Sequence, residues 1–97
     1  MNLPEPGFYH HYKHDPNGPF NNYSYHVIGV GLHSEERNHT VIYKPLYEND
    51  FLAPADYMIR PLDMFMDTVV KDGKTVPRFQ KITDKEVIAK LEALNIT

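Results

Sequence analysis

The 97 residues leave room for one modest hydrophobic core, which excludes a two-lobed enzyme built around an interdomain cleft. Hydrophobic residues at 41% and charged residues at 24% are ordinary globular values, so disorder and fibrous repeats are set aside. Ten basic against thirteen acidic residues give a formal charge of -3, the wrong sign for tracking a phosphate backbone by charge alone, which disfavours nucleic acid as a partner.

Turn residues recur every eight to twelve positions, and the intervals are rich in Val, Ile, Tyr, Phe and Thr, the pattern of a small mainly-β barrel or sandwich. A first strand over Gly7 to Tyr12 alternates Phe8, His10 and Tyr12 against Tyr9 and His11. Lys13 to Ser24 holds Asp15-Pro16-Asn17-Gly18-Pro19 and Asn21-Asn22, which oppose a continuous ladder and predict a surface loop. Over Tyr25 to His33, Ile28, Val30 and Leu32 share one face. Gly29 and Gly31 leave the other bare, as in a tightly bent strand. A hairpin partner follows over Thr40 to Tyr47, where Pro45 cannot donate to a ladder and predicts an edge or a bulge.

Glu48 to Asp56 reads as a second loop, carrying Phe51 and Leu52, before a short strand over Tyr57 to Pro61. Leu62-Asp63-Met64-Phe65 predicts one helical turn, because Pro61 presets φ, and it would plug one end of a barrel. Met66 to Val70 and Thr75 to Ile82 flank Lys71-Asp72-Gly73-Lys74, whose Asp-Gly pair suits a tight hairpin turn. Thr83-Asp84-Lys85-Glu86 has the spacing of a capping box with Thr83 as the cap. The helix it opens carries Val87, Ile88, Leu91 and Leu94 on one stripe, for the sheet or for a second copy of the chain. We expect a single domain over 1–97, with a barrel over about 6–82 and a helix over about 83–95.

The absence of cysteine excludes a disulfide framework and thiolate zinc, and Met1 to Pro6 lacks the basic end and apolar run of a signal peptide, which predicts a cytoplasmic setting. No apolar stretch approaches the roughly 20 residues of a membrane span, so no membrane is expected as a partner.

The strings Pro6-Gly7-Phe8-Tyr9-His10-His11-Tyr12-Lys13, Val27-Ile28-Gly29-Val30-Gly31-Leu32-His33-Ser34-Glu35, Val41-Ile42-Tyr43-Lys44-Pro45-Leu46-Tyr47, Arg60-Pro61-Leu62-Asp63-Met64-Phe65 and Gly73-Lys74-Thr75-Val76-Pro77-Arg78-Phe79 occur in fixed order. Together, over about Pro6 to Ile82, they resemble the bacterial domain of unknown function 1653 family. The resemblance implies a small SH3-like β-barrel and carries no assigned activity, so it transfers no catalytic residue. Two departures stand out: the loop over Lys13 to Ser24 is longer than the family's short turn, and Tyr57-Met58-Ile59 replaces an aromatic before Val-Arg-Pro. The helix after Ile82 lies outside the shared pattern.

Six histidines raise a metal reading, but His10 and His11 are adjacent on a strand and point to opposite faces, so no metal or other cofactor is expected. His33-Ser34-Glu35 is the most enzyme-like triplet. Successive strand side chains diverge, however, and the triplet reads better as a turn cap than as a catalytic group. Arg60 and Arg78 each stand in a strand beside Pro and large apolar residues, where a guanidinium needs a carboxylate or a ligand anion. Salt bridges to Glu35, Asp63 or Asp67 are the structural way to satisfy them.

The expectation is therefore a non-enzymatic module that binds a protein segment or small anionic ligand through Tyr43, Arg60 and Arg78, with His33 and Glu35 at the rim. The alternatives are a small hydrolase or isomerase using His33 with Glu35 or Ser34, single-stranded RNA binding with Arg37, Lys44, Arg60 and Lys74 on one aromatic face, and a homo-oligomer formed through the C-terminal helix.

Overall fold

A computed structural model describes residues 3–47 and 57–94. Its elements in chain order are β1 (Gly7–His11), β2 (Ser24–Leu32), β3 (His39–Pro45), β4 (Met58–Pro61), α1 (Leu62–Phe65), β5 (Thr68–Lys71), β6 (Lys74–Pro77), β7 (Phe79–Lys81) and α2 (Lys85–Glu92). The predicted loop over Glu48 to Asp56, with Phe51 and Leu52, lies outside the described residues.

Five strands form one antiparallel sheet in the order β4-β3-β2-β1-β7, and β5 and β6 form a second, two-stranded sheet. The chain is thus mainly β with a C-terminal helix. Among the described residues β4 and β7 are the edges of the large sheet and do not pair, so the hydrogen-bonded ladder is open and not a closed barrel. Closure comes from side chains. Arg60 of the β4 edge places its guanidinium carbon 5.5 Å from the ring centre of Phe79 on the β7 edge.

Register sorts the side chains into two faces. Tyr9 stands opposite Tyr25, and Val27 opposite Tyr43. These four, with Val41, Phe65 and Phe79, are buried as one aromatic-rich core on the inner face. Phe65 projects from α1 and stacks on Phe79 with ring centres 4.2 Å apart, the plug expected of that helical turn. A second cluster on the outer face joins Leu46, Ile82 and Leu91, with Phe8, Val87, Ile88 and Leu94 around it. The apolar stripe of α2 therefore packs on its own sheet.

Three local differences have physical reasons. Between Val27 and Gly29 the pairing with β3 advances by two residues on β2 and one on β3, a bulge at the predicted bend. The extra residue breaks the expected alternation at Ile28, which is exposed while Val27 and Val30 both face the inner core; Leu32 shares the face of Val30 and is exposed as the last residue of β2. Pro45 pairs only with Tyr25, because β4 ends its pairing at Tyr43, so the proline occupies a stretch of β3 that is a local edge. The cap of α2 is Asp84 and not Thr83. The Asp84 carboxylate accepts from the amides of Glu86 and Val87, and a carboxylate at a helix N-terminus also meets the positive end of the dipole.

The hairpin over Asp72-Gly73 forms as predicted, with φ of 51° and 78° at the two turn residues. The long strand expected over Thr75 to Ile82 is cut after Pro77. β6 pairs with β5, and β7 crosses to pair with β1, so Arg78 stands alone at the joint between the two sheets. The loop from Tyr12 to Tyr23 is tied by Asn22, whose side chain accepts from the Asp15 amide at 2.8 Å and donates to the Asp15 carbonyl at 2.9 Å. No helix among the described residues is long and apolar enough to cross a membrane.

Candidate functional site

The joint at Arg78 and the edge at Arg60 both lie near the His11 end of β1: the Arg78 backbone bonds Tyr12, and the Arg60 guanidinium lies by Phe79, the partner of His11. Arg60 pairs with Val41 across the β3-β4 ladder and so shares its face. Its Nε donates to the Tyr43 hydroxyl at 3.2 Å. That bond and the Phe79 ring hold the guanidinium in place and leave its two terminal amino groups without a partner among the described residues. Tyr43 itself is 1% exposed, so its role is to position Arg60.

Arg78 is anchored through its backbone. Its amide donates to the Asp67 carbonyl at 2.9 Å, and its carbonyl accepts from the Tyr12 amide at 2.8 Å. Its side-chain Nε is buried with no hydrogen-bond partner among the described residues. A buried guanidinium nitrogen without an acceptor is an unusual state for so strong a donor.

Among the described residues the predicted salt bridges to Arg60 and Arg78 do not form, and the ion pair present is the exposed Lys81–Glu5 contact at 3.3 Å. The acids expected to neutralise the arginines serve local backbone instead. Asp63 accepts from the Met64 amide and Asp67 from the Thr68 amide, while Glu35 is exposed in the turn after β2.

His11 stands opposite Phe79 in the β1-β7 ladder, with ring centres 5.0 Å apart. Burial pushes its pKa down to about 4, and the positive charges of Arg60, Lys13 and Arg78 add to the effect. It is therefore neutral at pH 7. Its Nδ1 accepts from the Lys13 amide at 3.2 Å, which leaves Nε2 as the protonated nitrogen and a further donor. Sequence reasoning had weighed His11 only as a metal ligand. Its place beside both arginines follows from the β1-β7 pairing, which joins residues nearly seventy positions apart.

The other predicted positions do different work. His33 Nδ1 accepts from the amides of Glu35 and Glu36 at 3.3 and 3.0 Å, so the ring closes the β2-β3 turn. No hydrogen bond among the described residues joins the His33 ring to the Ser34 or Glu35 side chain, or links either predicted rim residue to Arg60 or Arg78. The cations weighed for RNA are dispersed. Lys44 follows Tyr43 on the opposite face from Arg60, Lys74 opens β6, and Arg37 lies in the β2-β3 turn at φ 60°. His10 stacks on His14 at 3.6 Å, and His14 Nδ1 donates to the Asn22 carbonyl. Burial, then the neighbouring His14, pushes the pKa of His10 down to about 4.

An open, curled sheet with Arg60 and Arg78 near one end of β1 defines a small β module. The chain belongs to the family described as protein of unknown function (DUF1653), whose profile matches residues 7–81. It is similar to a crystal structure of a protein belonging to DUF1653 from Bordetella bronchiseptica, with a TM-score of 0.64 and 27% identity over 84% of this chain and 94% of that one. No curated protein matches the chain. The matched residues contain His11, Arg60 and Arg78, whereas α2 lies beyond them.

Proposed function

We propose that this chain is a non-enzymatic recognition module that takes an anionic group, carried by a small ligand or a protein segment, between Arg60 and Arg78. The observation that carries the reading is that, among the described residues, the buried Nε of Arg78 has no acceptor and the Arg60 guanidinium has no carboxylate partner. Arg60 offers the terminal edge of its fork, Arg78 adds a second guanidinium, and the neutral His11 adds a donor. The curl that brings the two edge strands together supports an SH3-like description, and the cysteine-free composition supports a cytoplasmic setting.

The test is calorimetric titration of the full chain with inorganic phosphate and with acetate, repeated on Arg60→Ala and Arg78→Ala. Hydrogen bonds to charged groups are worth about 1.5–3 kcal/mol each, so each variant should weaken the bound anion by roughly tenfold or more. Unchanged affinity in both variants, with the fold intact by circular dichroism, discards the site.

A further inference from the structure

Beside the two guanidinium groups runs a row of rings that the core does not enclose. Tyr23 is 38% exposed, and its backbone sits at φ 49°, a left-handed conformation that bulky L-residues rarely adopt. That conformation holds the ring 5.6 Å from Tyr47 and 5.7 Å from His11, and His11 lies 4.4 Å from Tyr12. A strained, exposed aromatic at the end of a loop is the kind of outlier that points to a ligand.

Charge gathers at the same place. Lys71 Nζ donates to the Tyr12 carbonyl at 2.7 Å, and Lys13 Nζ lies 6.0 Å from the Tyr12 ring centre. With Arg60 and Arg78, four cations surround the His11–Tyr12 end of β1 in a chain whose formal charge is -3.

Resting on the anion reading above, we propose that this end of the sheet is a mononucleotide site, with the phosphate held by Arg78 and Arg60 and the base stacked on Tyr23. Four cations gathered at one end of a chain whose formal charge is -3 outweigh the single charge of a carboxylate, and a terminal phosphate carries up to two. The flat partner for an exposed tyrosine beside a phosphate is a nucleobase, and stacking of this kind tolerates any base. One nucleotide, and not a polymer, fits the charge: four cations stand at this end, the other basic residues are scattered, and the overall charge opposes a long phosphate backbone.

The experiment is calorimetric titration of the full chain with adenosine 5′-monophosphate, inorganic phosphate, adenosine and benzoate, on the parent and on Tyr23→Gly. Glycine adopts φ 49° without strain, so this variant keeps the fold while removing the ring; a circular dichroism melt checks it. The monophosphate should bind the parent at least about tenfold more tightly than phosphate, adenosine or benzoate. In Tyr23→Gly its affinity should fall to that of phosphate, with phosphate binding unchanged. A monophosphate no tighter than phosphate in the parent, or unmoved by the substitution, overturns the nucleotide assignment and leaves the anion site standing. Benzoate binding as tightly as the monophosphate overturns the phosphate assignment. A folded parent that binds none of these, nor acetate, overturns both readings.

Discussion

If the Arg78 guanidinium exists to meet a ligand, removing it should stabilise the empty protein. Arg78→Met keeps an unbranched stem of similar length and takes away the charged, unpaired head. The two main-chain bonds at residue 78, to Asp67 and from Tyr12, survive the change. A buried donor without an acceptor costs about 1–3 kcal/mol, whereas the packing lost at the tip of the side chain is small. A net gain of about 1 kcal/mol corresponds to a rise in Tm of about 4–8 °C for a chain of this size. Urea and thermal unfolding in a buffer free of phosphate and carboxylate measure it, with Arg78→Lys as the control that keeps charge but not the fork. Both variants should lose phosphate binding. Should Arg78→Met prove less stable than the parent by 1 kcal/mol or more, the guanidinium is structural and the reasoning fails.

Two further expectations concern the scaffold. His10 and His11 hold pKa values near 4 in the fold, against an ordinary 6.5, so the unfolded chain binds more protons between those values. Stability is complete above about pH 6.5 and declines as the pH falls towards 4; thermal melts across this window show it, and His11→Asn should flatten part of the slope. A variant that melts along the parent's curve removes His11 as a cause. At α2, Asp84→Ala should cost about 1 kcal/mol by urea unfolding and Thr83→Ala much less, because Asp84 makes the capping bonds; equal losses would mean that Thr83 shares the cap.

The parts legible in the sequence are those decided by neighbours along the chain. The Asp72-Gly73 hairpin, the helical turn after Pro61, the β2-β3 hairpin and the stripe of α2 each follow from spacing over a few residues. Pro45 and Gly29 marked real irregularities, but not their kind: the bulge leaves Ile28 in solvent and brings Val30 to the same inner face as Val27, since one inserted residue reverses every side chain beyond it. The division of Thr75 to Ile82 between two sheets was illegible, because only the distant partner β1 draws β7 away. At the site, Arg60 and Arg78 stood out as cations among apolar neighbours. His11 did not, since its proximity to the arginines exists only after the sheet has curled.

The seam between β4 and β7 is fastened by a guanidinium lying over a ring and by packing around Phe65, with no main-chain ladder between these strands. Parting such a seam breaks no ladder bond among the described residues, so it costs less than parting two paired strands of the sheet. One of its two fasteners is Arg60. On the proposed anion reading, a ligand at that guanidinium also tightens or loosens the mouth of the curl, so that occupancy and shape are coupled without any hinge.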